Sequence, residues 1–199
     1  MSTQQRGEET RSRILQAAAD SFAEHGYDGA SVAKICARAG VTKGGFYHHF
    51  SSKQALFLEL LEHWLTEVDA QLRTAGSESD TVPQRLLQMA RAARHVSQAA
   101  SGQLPMFLEF WSKAARDPEV WQATIAPYRR YQSFFSDMVE AGIAEGALEA
   151  VDPEIAAWVI VSLAVGLMLQ GVLDPRGADW GKIGEEGIRM LLEGLERGR

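Results

Sequence analysis

The sequence predicts an all-α protein. A three-helix helix-turn-helix head over residues 1–53 is followed by a helical-bundle domain over residues 54–199, about nine helices in all. Three observations predict it. Apolar residues recur at helical spacing in segment after segment, capping residues stand at the starts of those segments, and no stretch alternates as a strand would.

The elements follow in order. Thr10 to His25 puts Ile14, Leu15, Ala18 and Phe22 on one face, and Gly26 follows as a stop. Ser31 is an N-cap for a short helix with Val32, Ile35, Cys36 and Ala39 facing inward, ended by Gly40. Thr42 caps the next short helix, on which Phe46 and Phe50 stand four apart. Ser51 and Gln54 have the capping-box spacing and open a long helix to about Leu72. Thr74 to Asp80 reads as a loop. Thr81 and Gln84 repeat the box and open a helix to about Ala100; Leu104 to Arg116 is the next. Asp117-Pro118 and Asp152-Pro153 each pair an N-cap with proline at the first helical position, and they open helices of about 30 and 20 residues. Pro127, inside the first of these, predicts a kink or break. A last helix from Asp179 to about Arg197 aligns Gly184, Ile188, Leu191 and Leu195.

Composition bounds the function. The chain has 199 residues, 46% hydrophobic and 23% charged, as in an ordinary globular protein. One cysteine, Cys36, allows no internal disulfide and reads as a small core residue, which fits a reducing, cytoplasmic setting. The polar stretch from Met1 to Arg13 lacks the apolar core of a signal peptide. The net charge of −6 conceals an asymmetry: residues 1–53 hold seven Lys/Arg against five Asp/Glu, and the remainder is acidic. Residues 155–173 carry no charge and reach the length of a membrane span. Asp152, Glu154 and Asp174 flank that run, no positive-inside asymmetry or aromatic belt accompanies it, and a helix packed on two sides has the same composition, so no membrane partner is expected.

Val32 to Lys53 carries the functional signal. Two short helices flank Ala-Gly-Val-Thr, where Gly40 can take the left-handed conformation the turn requires and Val41 can fill the space between the helices. With Phe46 and Phe50 directed to the core, Lys43, Gly44, Tyr47 and His48 are left on the opposite side. Lysine suits phosphate or guanine, the tyrosine hydroxyl suits phosphate, and glycine permits close backbone approach. The N-terminal end of such a helix is the part that enters the major groove.

These residues resemble the signature of the TetR family of bacterial transcriptional regulators. Three pieces carry the resemblance: Phe22, Gly26 and Tyr27 on the first helix; Ser31 to Ile35 with Ala39-Gly40-Val41; and Thr42 to Lys53. The similar region runs from about Thr10 to Leu60, contiguous and in the right order, while the remainder agrees only in its helical character. The resemblance implies a homodimer with DNA-binding heads, a helical body that binds a small effector, and a four-helix dimer interface from the last two helices. Carried over to this chain, it implies that Thr42 caps the recognition helix, that Lys43 and Gly44 lie nearest the base edges with Gly45 beside them, and that Tyr47, His48, His49 and Lys53 contact phosphates or bases. Lys34 departs from the family, where an acidic residue is common; it removes a capping partner for Ser31 and offers a phosphate contact instead. Gly45 is smaller than the usual residue, which implies sparse base readout.

The resulting expectation is a ligand-responsive repressor rather than an enzyme, without cofactor or metal. Its partners are a near-palindromic double-stranded operator, a second copy of itself and a small effector. Adjacent His48 and His49 point about 100° apart on a helix and lack metal-ligand spacing. Glu109, four residues before Lys113, reads as a solvated helical pair. Trp64, Phe107, Phe110, Trp111, Tyr128 and Trp158 are the expected lining of an effector pocket, whose aromatic character points to a mostly apolar or aromatic ligand. Val159, Leu167, Gly184, Ile188, Leu191 and Leu195 are the expected dimer contacts. Two other classes are an all-α ligand-binding protein or enzyme without a DNA role, and a membrane-associated protein held by residues 155–173.

Overall fold

The structure, a computed structural model, describes residues 3–77, 79, 81–100 and 104–195. Among these residues there are nine α-helices and no strand: α1 (Thr3–Gly29), α2 (Val32–Ala39), α3 (Lys43–His49), α4 (Lys53–Gly76), α5 (Val82–Ala100), α6 (Leu104–Ala114), α7 (Pro118–Ala144), α8 (Pro153–Leu173) and α9 (Trp180–Leu195). The predicted fold class stands. The predicted positions 78, 80 and 197 lie outside the described residues.

Several boundaries differ for identifiable reasons. Helix α1 begins well before Thr10 because Gln4, Gln5, Arg6, Glu8 and Glu9 are good helix formers that carry no apolar stripe. Helix α4 is capped by Ser52, not Ser51: the Ser52 hydroxyl accepts the Ala55 amide at 3.0 Å. Helix α7 runs through Pro127 as one element. The proline deprives the Ala123 carbonyl of its helical partner, but Ala123 is exposed and water can take that bond, so the helix need not break. Asp152 caps α8 as expected, its carboxylate accepting the amides of Glu154 and Ile155 at 2.9 and 3.2 Å. Asp179 caps α9 by accepting the Lys182 amide at 3.0 Å.

The chain forms two compact units. The first contains the residues up to Leu65 together with Pro105–Thr124; the second contains Thr66–Leu104 and Ile125 onward. The unit that holds the helix-turn-helix therefore extends past residue 53 and takes in the first half of α4 and all but the first residue of α6. Its core explains why. Phe57 of α4 stacks on Phe110 of α6 with centroids 4.1 Å apart and meets Phe22 and Tyr27 of α1 edge-on at 5.3 and 5.2 Å. Ile14, Phe22, Ile35, Phe46, Phe57 and Phe110 are all essentially sealed from solvent. Rings arranged edge-to-face and offset contribute beyond the area they bury.

The second unit is built on Val82, Leu86 and Met89 of α5, Met138 and Val139 of α7, Leu148 of the connection that follows, Ala156 and Ile160 of α8, and Ile188 and Leu192 of α9. Arg91 of α5 binds Glu185 of α9 at 2.8 Å, and the Glu149 amide donates to the Leu195 carbonyl at 2.7 Å. Small residues bring α8 onto α9: a Cβ on Gly184 would lie 3.2 Å from Leu167, and one on Gly187 would lie 3.0 Å from Leu163. Helix α8 is long and apolar enough to cross a membrane by length and composition, with mean hydropathy 2.1. It buries Ala156, Ala157, Ile160 and Val161 and leaves Ile155, Trp158, Val159, Val165, Leu169 and Leu173 exposed.

Gly142 marks a tight point of the second core. A Cβ there would lie 2.7 Å from Leu148 Cδ1 and 3.0 Å from two atoms of Val82. Gly142→Ala is therefore expected to destabilise the protein by about 1–3 kcal/mol, read from urea unfolding. Gly7→Ala, where a Cβ meets nothing within 4 Å, should be neutral or slightly stabilising in the same assay.

Candidate nucleic-acid interface

The turn between α2 and α3 is closed by local chemistry. The Ser31 hydroxyl accepts the Lys34 amide at 3.3 Å and starts α2. Gly40 ends it at φ 66°, ψ 38°, the left-handed conformation that glycine enters without penalty. The Val41 amide then returns to the Cys36 carbonyl at 3.0 Å. Thr42 takes an extended conformation, and its hydroxyl accepts the Gly45 amide at 3.0 Å, which starts α3. Cys36 is buried beneath the turn, its thiol pushed up by burial against a partial offset from Lys43, so it remains a protonated core side chain.

Burial fixes which side of α3 faces outward. Phe46 and Phe50 are buried with ring centroids 5.9 Å apart, the Arg11 guanidinium lying 5.1 Å from the Phe50 centroid. Lys43, Gly44, Tyr47 and His48 are exposed, Tyr47 to 54%. His49 is half-buried, with its ring 5.1 Å from that of His48. Burial, then the neighbouring His48 and Arg11, hold the His49 imidazole below its ordinary 6.5. A Cβ on Gly45 would lie 3.5 Å from the Thr42 hydroxyl, an ordinary contact, so space alone does not require glycine there. Among the described residues no group of three or more His, Cys, Asp or Glu could hold a metal ion.

Two predicted contacts have other attachments. The Lys34 ammonium donates to the Gly29 carbonyl at 3.1 Å, at the end of α1. The Lys53 ammonium donates to the Tyr27 carbonyl at 2.7 Å and lies 4.2 Å from the centre of the Tyr27 ring. Helix α2 is strapped to α1 by Arg38, which binds Glu24 through both guanidinium nitrogens at 2.9 and 2.5 Å. The guanidinium holds the Glu24 carboxyl below its ordinary value. Arg11 likewise pairs with Glu59, joining α1 to α4.

One residue needs correction. Glu109, read in the sequence as part of a solvated helical pair, is half-buried, and its two carboxylate oxygens each accept a backbone amide, from Tyr27 and Asp28, at 2.9 Å. Nothing local in the sequence signals this, because the partners stand 82 and 81 positions away.

The expected effector lining divides between the units. Trp64, Phe107, Phe110 and Trp111 belong to the first, where Trp64 stacks on Phe107 at 4.9 Å and Phe107 and Phe110 are buried against Phe57. Tyr128 and Trp158 belong to the second, with rings 5.7 Å apart. The second unit also carries an open cleft of about 460 Å³ lined by Arg73, Arg129, Arg130, Ser133, Phe134 and Asp137, which the sequence reading did not anticipate. Of the expected dimer contacts, Val159 is exposed, Leu167, Gly184, Leu191 and Leu195 are half-buried, and Ile188 is buried in the core of its own unit.

Comparison with known proteins agrees with this geometry. Residues 14–60 match the family described as bacterial regulatory proteins of the tetR family, and residues 83–196 match the C-terminal region of BetI-type transcriptional repressors. The chain belongs to the TetR family. The A-factor receptor protein of Streptomyces griseus is 31% identical over 180 residues, 90% of this chain, and the chain spans 61% of that receptor's length. A candidate transcriptional regulator from Pseudomonas aeruginosa PAO1 is 26% identical with a TM-score of 0.82, over 98% of this chain and 91% of its own. FadR of Bacillus subtilis, solved with stearoyl-CoA, shares the fold at 20% identity with a TM-score of 0.76, over 92% and 98% of the two chains. For a TetR-family helix-turn-helix, the outward face of α3 is the surface of interest, and Thr42 sets where it begins.

Thr42→Ala removes the acceptor for the Gly45 amide and should cost about 1 kcal/mol in thermal or urea unfolding, while Thr42→Ser should retain nearly all of the stability.

Proposed function

We propose that the chain is a ligand-responsive transcriptional repressor that binds operator DNA through α3 and acts as a cytoplasmic homodimer. The observation that carries the reading is the outward face of α3: Lys43, Gly44, Tyr47 and His48 are exposed opposite the buried Phe46 and Phe50. Thr42 and Gly45 set the start of that helix, His49 sits at its far end, and Lys34 and Lys53 contribute positive charge nearby in the sequence. Lysine and tyrosine hold phosphates, which fixes register, and the glycine pair lets the backbone come near the base edges. The BetI-type repressor match over the C-terminal region supports repression as the sign of control.

The dimer is proposed through α8 and α9. Val159 with Ile155, Trp158, Leu169 and Leu173 of α8, and Ile183 and Met190 of α9, form apolar surface that the second unit leaves exposed. Such surface is costly in water and marks an interface. Leu167, Leu191 and Leu195, half-buried, extend it, while Gly184 and the buried Ile188 support it from behind by packing α8 and the core. Two-fold symmetry would present two recognition helices to successive major grooves of a near-palindrome, roughly 34–36 Å apart. The effector is proposed to be mostly apolar or aromatic, on the strength of the aromatic residues Trp64, Phe107, Phe110 and Trp111 in the first unit and Tyr128 and Trp158 in the second; the stearoyl-CoA bound by the FadR relative, whose acyl chain is apolar, supports this reading.

Two experiments test the reading. Operator fragments selected from random DNA should bind the wild type at nanomolar concentration. Lys43→Ala should weaken binding and lower the salt slope by about one if it holds phosphate, or shift sequence preference if it reads a base. Tyr47→Phe should weaken all sequences alike. Because His49 is held neutral at pH 7 and phosphate favours its charged form, affinity should rise as pH falls below the ordinary imidazole value of 6.5, and His49→Gln should flatten that rise. Absence of DNA binding by the wild type ends the proposal. In the second experiment, sedimentation at micromolar concentration should show a dimer that Val159→Glu converts to a folded monomer. A monomeric wild type overturns the dimer, and recovery of the wild type in the membrane fraction would assign α8 to a bilayer instead.

A further inference from the structure

Helix α1 breaks at Gly26, whose φ of 70° and ψ of 174° lie in a region open essentially to glycine alone. A break of this kind takes the next amides out of the helical ladder, and a buried or half-buried amide without an acceptor is costly. The part-buried Tyr27 amide and the exposed Asp28 amide both find the same carboxylate. Tyr27 donates to Glu109 Oε2 and Asp28 to Glu109 Oε1, each at 2.9 Å. The site exists only because residue 26 has no side chain, since a Cβ there would lie 2.6 Å from Glu109 Oε2.

The other side of the same residue is equally engaged. The Tyr27 carbonyl accepts the Lys53 ammonium at 2.7 Å, and the Tyr27 ring packs edge-on against Phe57 of α4 and Phe110 of α6, at 5.2 and 5.1 Å. Residue 27 is thus fixed at its N–H by α6, at its carbonyl by α4 and at its ring by both. Two amides on one carboxylate define a direction as well as a distance, because both peptide planes are set. Four residues after Tyr27, Ser31 caps α2, and α2 leads into α3. The path of the chain at residues 26–28, together with the Arg38–Glu24 pair that ties α2 to α1, therefore bears on how the helix-turn-helix is presented by the remainder of its own unit.

We propose that Glu109 is a positioning residue for DNA binding: from α6 it holds the Tyr27 and Asp28 amides and so fixes the orientation of α2 and α3. The proposal rests on the DNA-binding reading above. It makes α6, and not only α4, a direct support of the recognition helix.

Charge and positioning predict opposite signs, which makes the test sharp. Glu109→Gln removes a negative charge, so electrostatics alone would tighten binding to a polyanion. The glutamine side chain can accept from only one of the two amides and turns an N–H₂ toward the other. Operator affinity should fall by about ten-fold, with helicity retained and the salt slope unchanged, because no phosphate contact is lost. Amide hydrogen exchange at Tyr27 and Asp28 should accelerate in the same variant. Gly26→Ala, which displaces the carboxylate from the other side, should reproduce both effects, and the double variant should be less than additive. If Glu109→Gln binds operator as tightly as the wild type or more tightly, or if the two amides are no better protected in the wild type than in the variant, the proposal is overturned. Should either variant fail to fold, the other, with wild-type amide protection, decides the matter. A wild type that binds no DNA removes the parent reading and this one together, whereas a binding wild type with a binding Glu109→Gln removes this one alone.

Discussion

The first unit depends on one constraint: helix α1 must break at Gly26 so that Tyr27 can turn inward. A continued helix would carry Tyr27 elsewhere and leave Phe22, Phe57 and Phe110 without the ring that closes their cluster. The break is tolerable because Glu109 receives the amides it releases and Lys53 receives the Tyr27 carbonyl. Burial, with smaller contributions from Asp28 and Glu109, pushes the Tyr27 phenol above its ordinary value, so the ring stays neutral within the cluster. Hydrophobic closure and polar compensation at this point are one arrangement, and neither would persist alone.

The second unit distributes its apolar surface differently. Its core is a band of Val, Leu, Met and Ile from α5, α7, α8 and α9, and it does not use all the hydrophobic area that α8 supplies. A helix with apolar residues on every side is consistent with burial on two sides, but the chain itself covers only one. Acidic groups stand at both ends of α8, at Asp152, Glu154 and Asp174, and neither end carries the cluster of Lys and Arg that orients a membrane span. The exposed stripe of Ile155, Val159, Leu169 and Leu173 is the surface on which the proposed dimer rests.

How much of this was legible in the sequence follows from the range over which each interaction acts. The caps at Thr42 and Asp152, the left-handed Gly40 and the inward pair Phe46 and Phe50 are decided within four residues, and the sequence showed each of them. Ser51 and Ser52 are adjacent hydroxyls with similar capping propensity, so propensity could not choose between them; the observed Ala55 amide bond does. The exposed face of α3 was legible because its opposite face is aromatic. The engagement of Lys53 with Tyr27, and of Glu109 with the Gly26 break, was not, because both need the tertiary approach of α4 and α6 to α1. Glu109 had a plausible local partner four residues away, and a local rule prefers it.

The placement of Glu109 also bears on how a ligand signal would reach DNA. On α6 it stands between Phe107 and Phe110, two of the aromatic residues proposed to draw an effector. These rings pack on Phe57 of α4, and α4 carries Lys53 at its start and Trp64 two turns after Phe57. A ligand that separates or rotates these rings therefore acts on the two helices that hold Tyr27. Close-packed aromatic clusters respond to intrusion by shifting as bodies, not by compressing. A shift of α6 relative to α1 lengthens two charge-assisted hydrogen bonds together, and their energy falls steeply with distance and angle. The ligand must supply that difference, since it can favour the released state only by the margin of its affinity for that state over the DNA-bound one. On this argument the role proposed for Glu109 is to favour one orientation of α2 and α3, which a ligand that prefers another orientation would oppose.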